Sequence, residues 1–182
     1  QVLAASATIA NAREHAEAAV QLRPDAPAAI QALGTALLLQ KKNDEAEVQF
    51  NALLKRDPNS AQAWFNLGII AGAKKDMDTA ERDFEKALAL NPNYVEALIN
   101  LNSIYRFKNQ GDKGLARMKQ GAQAAPKNAT IQNLYGEVLI QAGKFDEARP
   151  VIEGAIKLDP KLTMGYVNMG NLYRVSKNTA EA

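Results

Sequence analysis

The stretch AQAWFNLGIIAGAKKDMDTAERDFEKALALNP, residues 61–92, is the pattern from which the rest of the chain is written. Pro24, Pro58, Pro92, Pro126 and Pro160 follow one another at intervals of 34 residues and are five of the seven prolines. A fixed period of this length marks an array of repeated supersecondary units, each too small to bury its own apolar face. One period upstream the pattern gives Leu33-Gly34, Ala46, Phe50 and Pro58; two periods downstream it gives Tyr135-Gly136, Ala148, Ile152, Ala155 and Pro160.

Within the unit, Trp64, Leu67, Gly68 and Ala71 fall at i, i+3, i+4 and i+7, one face of a first helix. Gly68 admits a closely packed partner helix, and Trp64 supplies bulk. A second helix over roughly 78–90 places Ala80, Phe84, Ala87 and Leu88 on one side, with Glu81, Arg82, Glu85 and Lys86 largely on the other. Asp44, Asp78, Asp112 and Asp146 recur 34 apart where the second helices begin. There a carboxylate complements the helix dipole and can accept bonds from free backbone N–H groups. Asp57-Pro58-Asn59, Asn91-Pro92-Asn93 and Asp159-Pro160 separate the repeats, because proline lacks a donor and disfavours helix in the residue before it. Pro150 is expected in the first turn after Asp146, with little or no kink.

The columns Trp64-x2-Leu67-Gly68, Ala80-x3-Phe84 and the closing Pro92 resemble the tetratricopeptide repeat family over essentially the whole chain. The resemblance implies an all-α, right-handed superhelical solenoid of helix-turn-helix repeats. Four complete units are expected at 27–60, 61–94, 95–128 and 129–162, with partial repeats at 1–26 and 163–182, together one array. The second helix of the last unit is expected to have barely begun at the end of the sequence. Neither end carries an obvious polar capping helix, so a fragment of a longer array is expected.

The repeat 95–128 departs most from the pattern. Asn102 stands in the Gly68 column, Gly111 in the column of Met77 and Phe145, and Gly114 and Gly121 where neighbouring units have alanine. Each helical glycine costs about 0.8–1 kcal/mol relative to alanine. The second helix here is therefore predicted to be the weakest of the array, as a hinge or as a defect held by its neighbours.

Composition agrees with a repeat protein. The 182 residues are 47% apolar, and 22 basic side chains nearly balance 20 acidic ones, which gives little support for nucleic-acid binding. No cysteine is present, so thiolate catalysis and cysteine metal sites are excluded, while cytoplasmic and periplasmic compartments are both compatible. No apolar run reaches the eighteen or so residues needed to span a bilayer, and no membrane insertion is expected. The start QVLAASATIANA lacks a secretory signal pattern. His15 is the single histidine, and Gly111-Asp112-Lys113-Gly114 does not continue as a phosphate-binding loop. The triplet Asn128-Ala129-Thr130 fits a glycosylation acceptor, meaningful only in a secretory compartment. No catalytic, cofactor or metal constellation emerges.

The stripe of each first helix not used against its own partner carries the functional expectation. In the unit 61–94 it comprises Gln62, Phe65, Asn66, Ile69, Gly72 and Ala73. In tetratricopeptide proteins the first helices line a concave groove for an extended peptide or a partner helix, so the resemblance makes this stripe the binding surface. Its column reads Ala32, Asn66, Asn100, Leu134 and Asn168, with Asn133 and Asn171 close by. Amides offer both donor and acceptor to a peptide backbone. The column is similar to the asparagine ladder of O-linked N-acetylglucosamine transferases, interrupted at Ala32 and Leu134. Arg106 and Arg174 share a further column and suit either a partner's carboxylates or a helix C-terminus. Phe65, Phe107 and Ile69 suit either ligand anchoring or packing between repeats. The stripe carries Gln31, Thr35, Phe65, Ile69, Glu96 and Asn100 and no lysine, which argues against a chaperone-tail carboxylate clamp.

The expected function is a non-catalytic scaffold binding a peptide or partner protein in the groove. Two alternatives stand beside it: the substrate-recruiting arm of a larger enzyme of glycosyltransferase or sulfotransferase type, and a scaffold that self-assembles through its open end at Met169, Gly170 and Tyr173.

Overall fold

A computed structural model describes residues 2–180, with side chains from 8 to 177. Ten α-helices and no strands form among them. The chain divides into two compact units, Gln1–Leu90 and Asn91–Ala182. The first holds α1 (Val2–Leu22), α2 (Pro27–Leu39), α3 (Asn43–Arg56), α4 (Ala61–Ala73) and α5 (Met77–Leu90). The second holds α6 (Val95–Phe107), α7 (Gly111–Ala124), α8 (Ala129–Gln141), α9 (Phe145–Leu158) and α10 (Thr163–Ala180). Within each unit every helix packs on the next, and the first helices of successive repeats also touch, α2 on α4, α6 on α8 and α8 on α10. This is an all-α helical-repeat solenoid fold.

The turn inside each repeat has a common construction. Lys41, Lys75, Asn109 and Gly143 adopt the left-handed conformation, with φ of 60°, 64°, 56° and 72°. The next residue's N–H then bonds back five residues, from Lys42 to Leu37, Asp76 to Ala71, Gln110 to Tyr105 and Lys144 to Leu139, at 2.7–3.0 Å. That bond satisfies an otherwise free carbonyl at the helix end and reverses the chain. Lys177 holds the same column, but α10 runs through it to Ala180, so the expected second helix of the last repeat does not begin among the described residues.

Between repeats, the side chains of Asp57, Asn91 and Asp159 accept the N–H two residues on at 2.9–3.1 Å, closing an Asx turn around each proline. The recurrent aspartates Asp44, Asp78, Asp112 and Asp146 lie inside the first turns of α3, α5, α7 and α9, where they face the positive end of the dipole. The capping carboxylate of α5 stands two residues earlier: Asp76 accepts from the Thr79 N–H at 3.1 Å. Pro150 is one turn deeper than expected. Because α9 begins at Phe145 and the Ala148 N–H already bonds the Lys144 carbonyl, Pro150 removes a ladder bond, at an exposed position where water can reach the freed carbonyl.

The core is a repeated glycine-to-ring contact. A Cβ built on Gly34 or Gly68 would lie 2.7 Å from the ring of Phe50 or Phe84, and one on Gly136 would run into the Ile152 side chain. Phe50, Phe84 and Ile152 are buried. In α6–α7 the sizes are exchanged. Asn102 replaces the glycine, Met118 takes the Phe84 column, and Gly114 makes room, its hypothetical Cβ only 3.1 Å from Asn102 Oδ1. Gly121 likewise accommodates Leu98, whose methyls would lie 3.1 Å away. The expected weak helix is continuous from Gly111 to Ala124, and its two inner glycines are buried contact points.

Candidate functional site

The stripe read from the sequence is carried by α2 and α4 in the first unit and by α6, α8 and α10 in the second. Placing consecutive first helices side by side brings residues 35 apart into register. Asn168 Nδ2 donates to Asn133 Oδ1 at 3.1 Å, a buried bond between α10 and α8. Both side chains are at most 5% exposed. These two amides satisfy each other.

The same 35-residue offset relates Gln31 on α2 to Asn66 on α4. Here the bond is not made. Gln31 Oε1 and Asn66 Nδ2, an acceptor and a donor, are both buried without a partner. Gln31 Nε2 instead reaches Thr35 Oγ1 at 3.3 Å, at the long end of the range for an N–H donor. Asn100 is half-buried and turns its amide to its own helix, donating to the Glu96 carbonyl at 2.8 Å.

The remaining predicted residues divide between the two units. Phe65 is half-buried, its ring 5.6 Å from that of the buried Phe84. Asn171 Oδ1 accepts from Arg174 at 2.7 Å, which holds the exposed guanidinium beside the Asn133–Asn168 pair's helix. Arg106 is exposed in the last turn of α6 and lines a cavity with α7 and α8. Phe107 is 72% exposed. Thus Asn133 joins Asn168 and Asn171 joins Arg174, while Asn66, Asn100, Phe65 and Arg106 are not brought into any of these pairs.

Two polar features escape the sequence reading. Gln31 stands out there only as an uncharged residue, although its 35-residue distance from Asn66 is the signal that marks it as a partner. Asp83 is 3% exposed, and burial raises its carboxyl above the ordinary value although the Arg82 Nε–H donates to it at 3.0 Å. It lies on a small cleft with Trp64, Lys74 and Asp76. Lys74 bridges Asp44 and Glu47 at 2.6 Å each, and these carboxylates hold its ammonium well above the usual lysine range. Among the described residues no group of three or more His, Cys, Asp or Glu is placed to hold a metal ion. Nor is any described helix long and apolar enough to cross a membrane. Asn128 of the glycosylation triplet caps α8, accepting the Ile131 N–H at 3.1 Å.

Sequence comparison agrees with this architecture. Tetratricopeptide repeat models match residues 61–94 and, for a second model, 3–67 and 108–163. The chain belongs to the tetratricopeptide repeat family, whose arrays serve as protein-interaction scaffolds. No curated protein matches it by sequence. Solved structures with the same fold include TTC0263, a thermophilic tetratricopeptide protein of Thermus thermophilus, at 21% identity and a TM-score of 0.65, covering 94% of this chain and 93% of that one. YrrB, described as a tetratricopeptide protein with an unusual peptide-binding site, is 19% identical with a TM-score of 0.63, covering 92% and 86%. MamA is 19% identical with a TM-score of 0.64, covering 86% and 92%.

Proposed function

We propose that the chain is a non-catalytic scaffold whose first helices bind an extended polypeptide, with side-chain amides bonding its backbone. One observation carries this reading. At a single offset, Asn133 and Asn168 satisfy each other, whereas Gln31 and Asn66 leave one acceptor and one donor unused. A peptide group supplies the complements of both, an N–H for Gln31 Oε1 and a C=O for Asn66 Nδ2. Leaving such groups buried and unpaired costs about 1–3 kcal/mol each, so a ligand that pairs them gains from the pairing. Gln31 has only the long bond to Thr35 to give up. The peptide-binding site described for YrrB is consistent with this use of the fold.

The test is a selection of random displayed peptides on the purified chain, followed by calorimetric titration of the best binder. Gln31→Ala and Asn66→Ala are each expected to weaken it about 5- to 10-fold, a hydrogen bond's worth, with the melting temperature nearly unchanged. Failure to select any peptide, or full affinity in both variants, would refute the reading.

A further inference from the structure

Phe145, at the start of α9, packs on a buried cluster that includes Leu139, Ile140 and Leu172, and Val175 packs on the same cluster. Subtracting one period from these four gives Tyr105, Arg106, Val138 and Gln141, and all four line a cavity of about 600 Å³ between α6, α7 and α8. The residue that would fill it, in the Phe145 column, is Gly111, which also lines the cavity. A Cβ on Gly111 would meet nothing within 4 Å, and its φ is not in the left-handed region, so neither space nor backbone demands glycine there. One repeat seats its own aromatic ring; its predecessor has the seat without the ring.

We propose that this seat receives an aromatic side chain of a bound polypeptide, occupying the place that Phe145 fills in the following repeat. Buried Tyr105 and Val138 give the ring an apolar floor within a lining that is otherwise largely polar, from Asn102, Arg106, Asn109, Asp112 and Gln141. Where the Phe145 seat has Ile140 and Val175, this one has Arg106 and Gln141, both exposed. The Arg106 guanidinium, and the Gln141 amide once it gives up its 3.0 Å bond to Glu137 Oε1, can donate to the carbonyl groups on either side of an incoming residue, which an internal phenylalanine would not need. Burial of a ring in such a place is favourable roughly in proportion to the apolar area covered. The occupant is thus a phenylalanine-like residue within a polypeptide. The inference rests on the scaffold reading but not on the amides of Gln31 and Asn66.

The experiment titrates the 15N-labelled chain with N-acetyl-L-phenylalaninamide, using N-acetyl-L-alaninamide as the control. Saturable shifts are expected at backbone amides of 105–112 and 138–142, with the phenylalanine derivative only. In Gly111→Phe those shifts should be lost and the melting temperature should rise, because the chain then supplies its own ring. If Gly111→Phe does not fold, Gly111→Met, which restores the Met77-type residue, serves the same comparison. Absence of saturable shifts, shifts elsewhere only, or unchanged shifts in the filled variant would overturn the proposal. None of these outcomes bears on peptide affinity at Gln31 and Asn66, so the two readings fail separately.

Discussion

The hairpins α4–α5 and α6–α7 occupy equivalent places in the repeat and solve the same packing problem with opposite assignments of size. In α4–α5 the small residue is on the first helix and the ring on the second: Gly68 lets the Phe84 ring lie against the α4 backbone. In α6–α7 the small residues, Gly114 and Gly121, are on the second helix, and Asn102 and Leu98 reach across from the first. The backbones of α6 and α7 approach less closely over their length than those of α4 and α5. The contrast teaches that a repeat tolerates exchange of its columns when the sum of sizes across the interface is kept, at the cost of a looser seam and an unfilled seat beside Gly111.

The largest expected difference between the hairpins lies in their central side chains. Phe84→Ala should cost about 3–5 kcal/mol, because it removes a buried ring and leaves a cavity that the glycine opposite cannot fill. Met118→Ala, at the same column, should cost about 2–3 kcal/mol, since methionine is flexible and its surroundings more able to collapse. Urea unfolding of the two variants measures both, and a larger loss for Met118→Ala would deny that α4–α5 is the tighter hairpin.

Next come the glycines. Gly68→Ala would set a Cβ 2.7 Å from the Phe84 ring, and the overpacking, about 1–3 kcal/mol, outweighs the gain of about 1 kcal/mol in helix propensity. Gly121→Ala meets only the ends of Leu98 at 3.1 Å, which yield by small rotations, so propensity prevails and the variant should be as stable as the parent or slightly more so. Matched thermal melts would show the opposite signs.

Much of this architecture is legible in the amino-acid sequence, and the portion that is not has a physical reason. The helices, their pairing and the Gly68–Phe84 core follow from a 34-residue period joined to 3.6-residue periodicity, and neither depends on partners far along the chain. The recurrent aspartates stand in the first turns of the second helices, as their spacing implies, whereas the capping carboxylate of α5, Asp76, two residues earlier, is selected only by its hydrogen bond from the Thr79 N–H. The asparagine column was visible as a column, yet which amides pair was not. That depends on the offset of 35 seen between α8 and α10, one more than the period, at which Asn133 bonds Asn168, while the same offset separates Gln31 and Asn66, which leave an acceptor and a donor unpaired. The glycines of α7 leave a hinge and a defect held by its neighbours both open in the sequence, because propensity counts a residue alone; the side chains of Asn102 and Leu98 pack into the space beside them.

The amide pairs predict a smaller contrast. Asn168→Ala strands the buried acceptor of Asn133 and should lower stability by about 1–2 kcal/mol. Asn66→Ala removes a donor that has no partner and should be close to neutral. Equal losses in chemical denaturation would mean that Asn66 is bonded in solution as Asn168 is.

The smallest expected effect returns to the two hairpins, at the entry to their second helices. Asp76 accepts backbone N–H groups at the start of α5, and those bonds, the one from Thr79 foremost, hold its carboxyl below the usual aspartate value. A carboxylate with a depressed folded pKa contributes stability that is fully present above the unfolded value of about 3.9 and is lost as pH falls through the folded value. At the equivalent place Gln110 makes no side-chain cap bond to α7. Asp76→Asn, which keeps an acceptor but not the charge, should therefore lie below the parent at pH 7 and converge with it as the pH drops below 4. Gln110→Asp should instead raise the parent's stability at pH 7, by the modest amount a new cap contributes, and lose that advantage over the same acidic range. Melting temperatures of the three proteins between pH 3 and pH 7 decide the matter: parallel curves for Asp76→Asn and the parent would show that the cap at α5 acts through shape and not through charge.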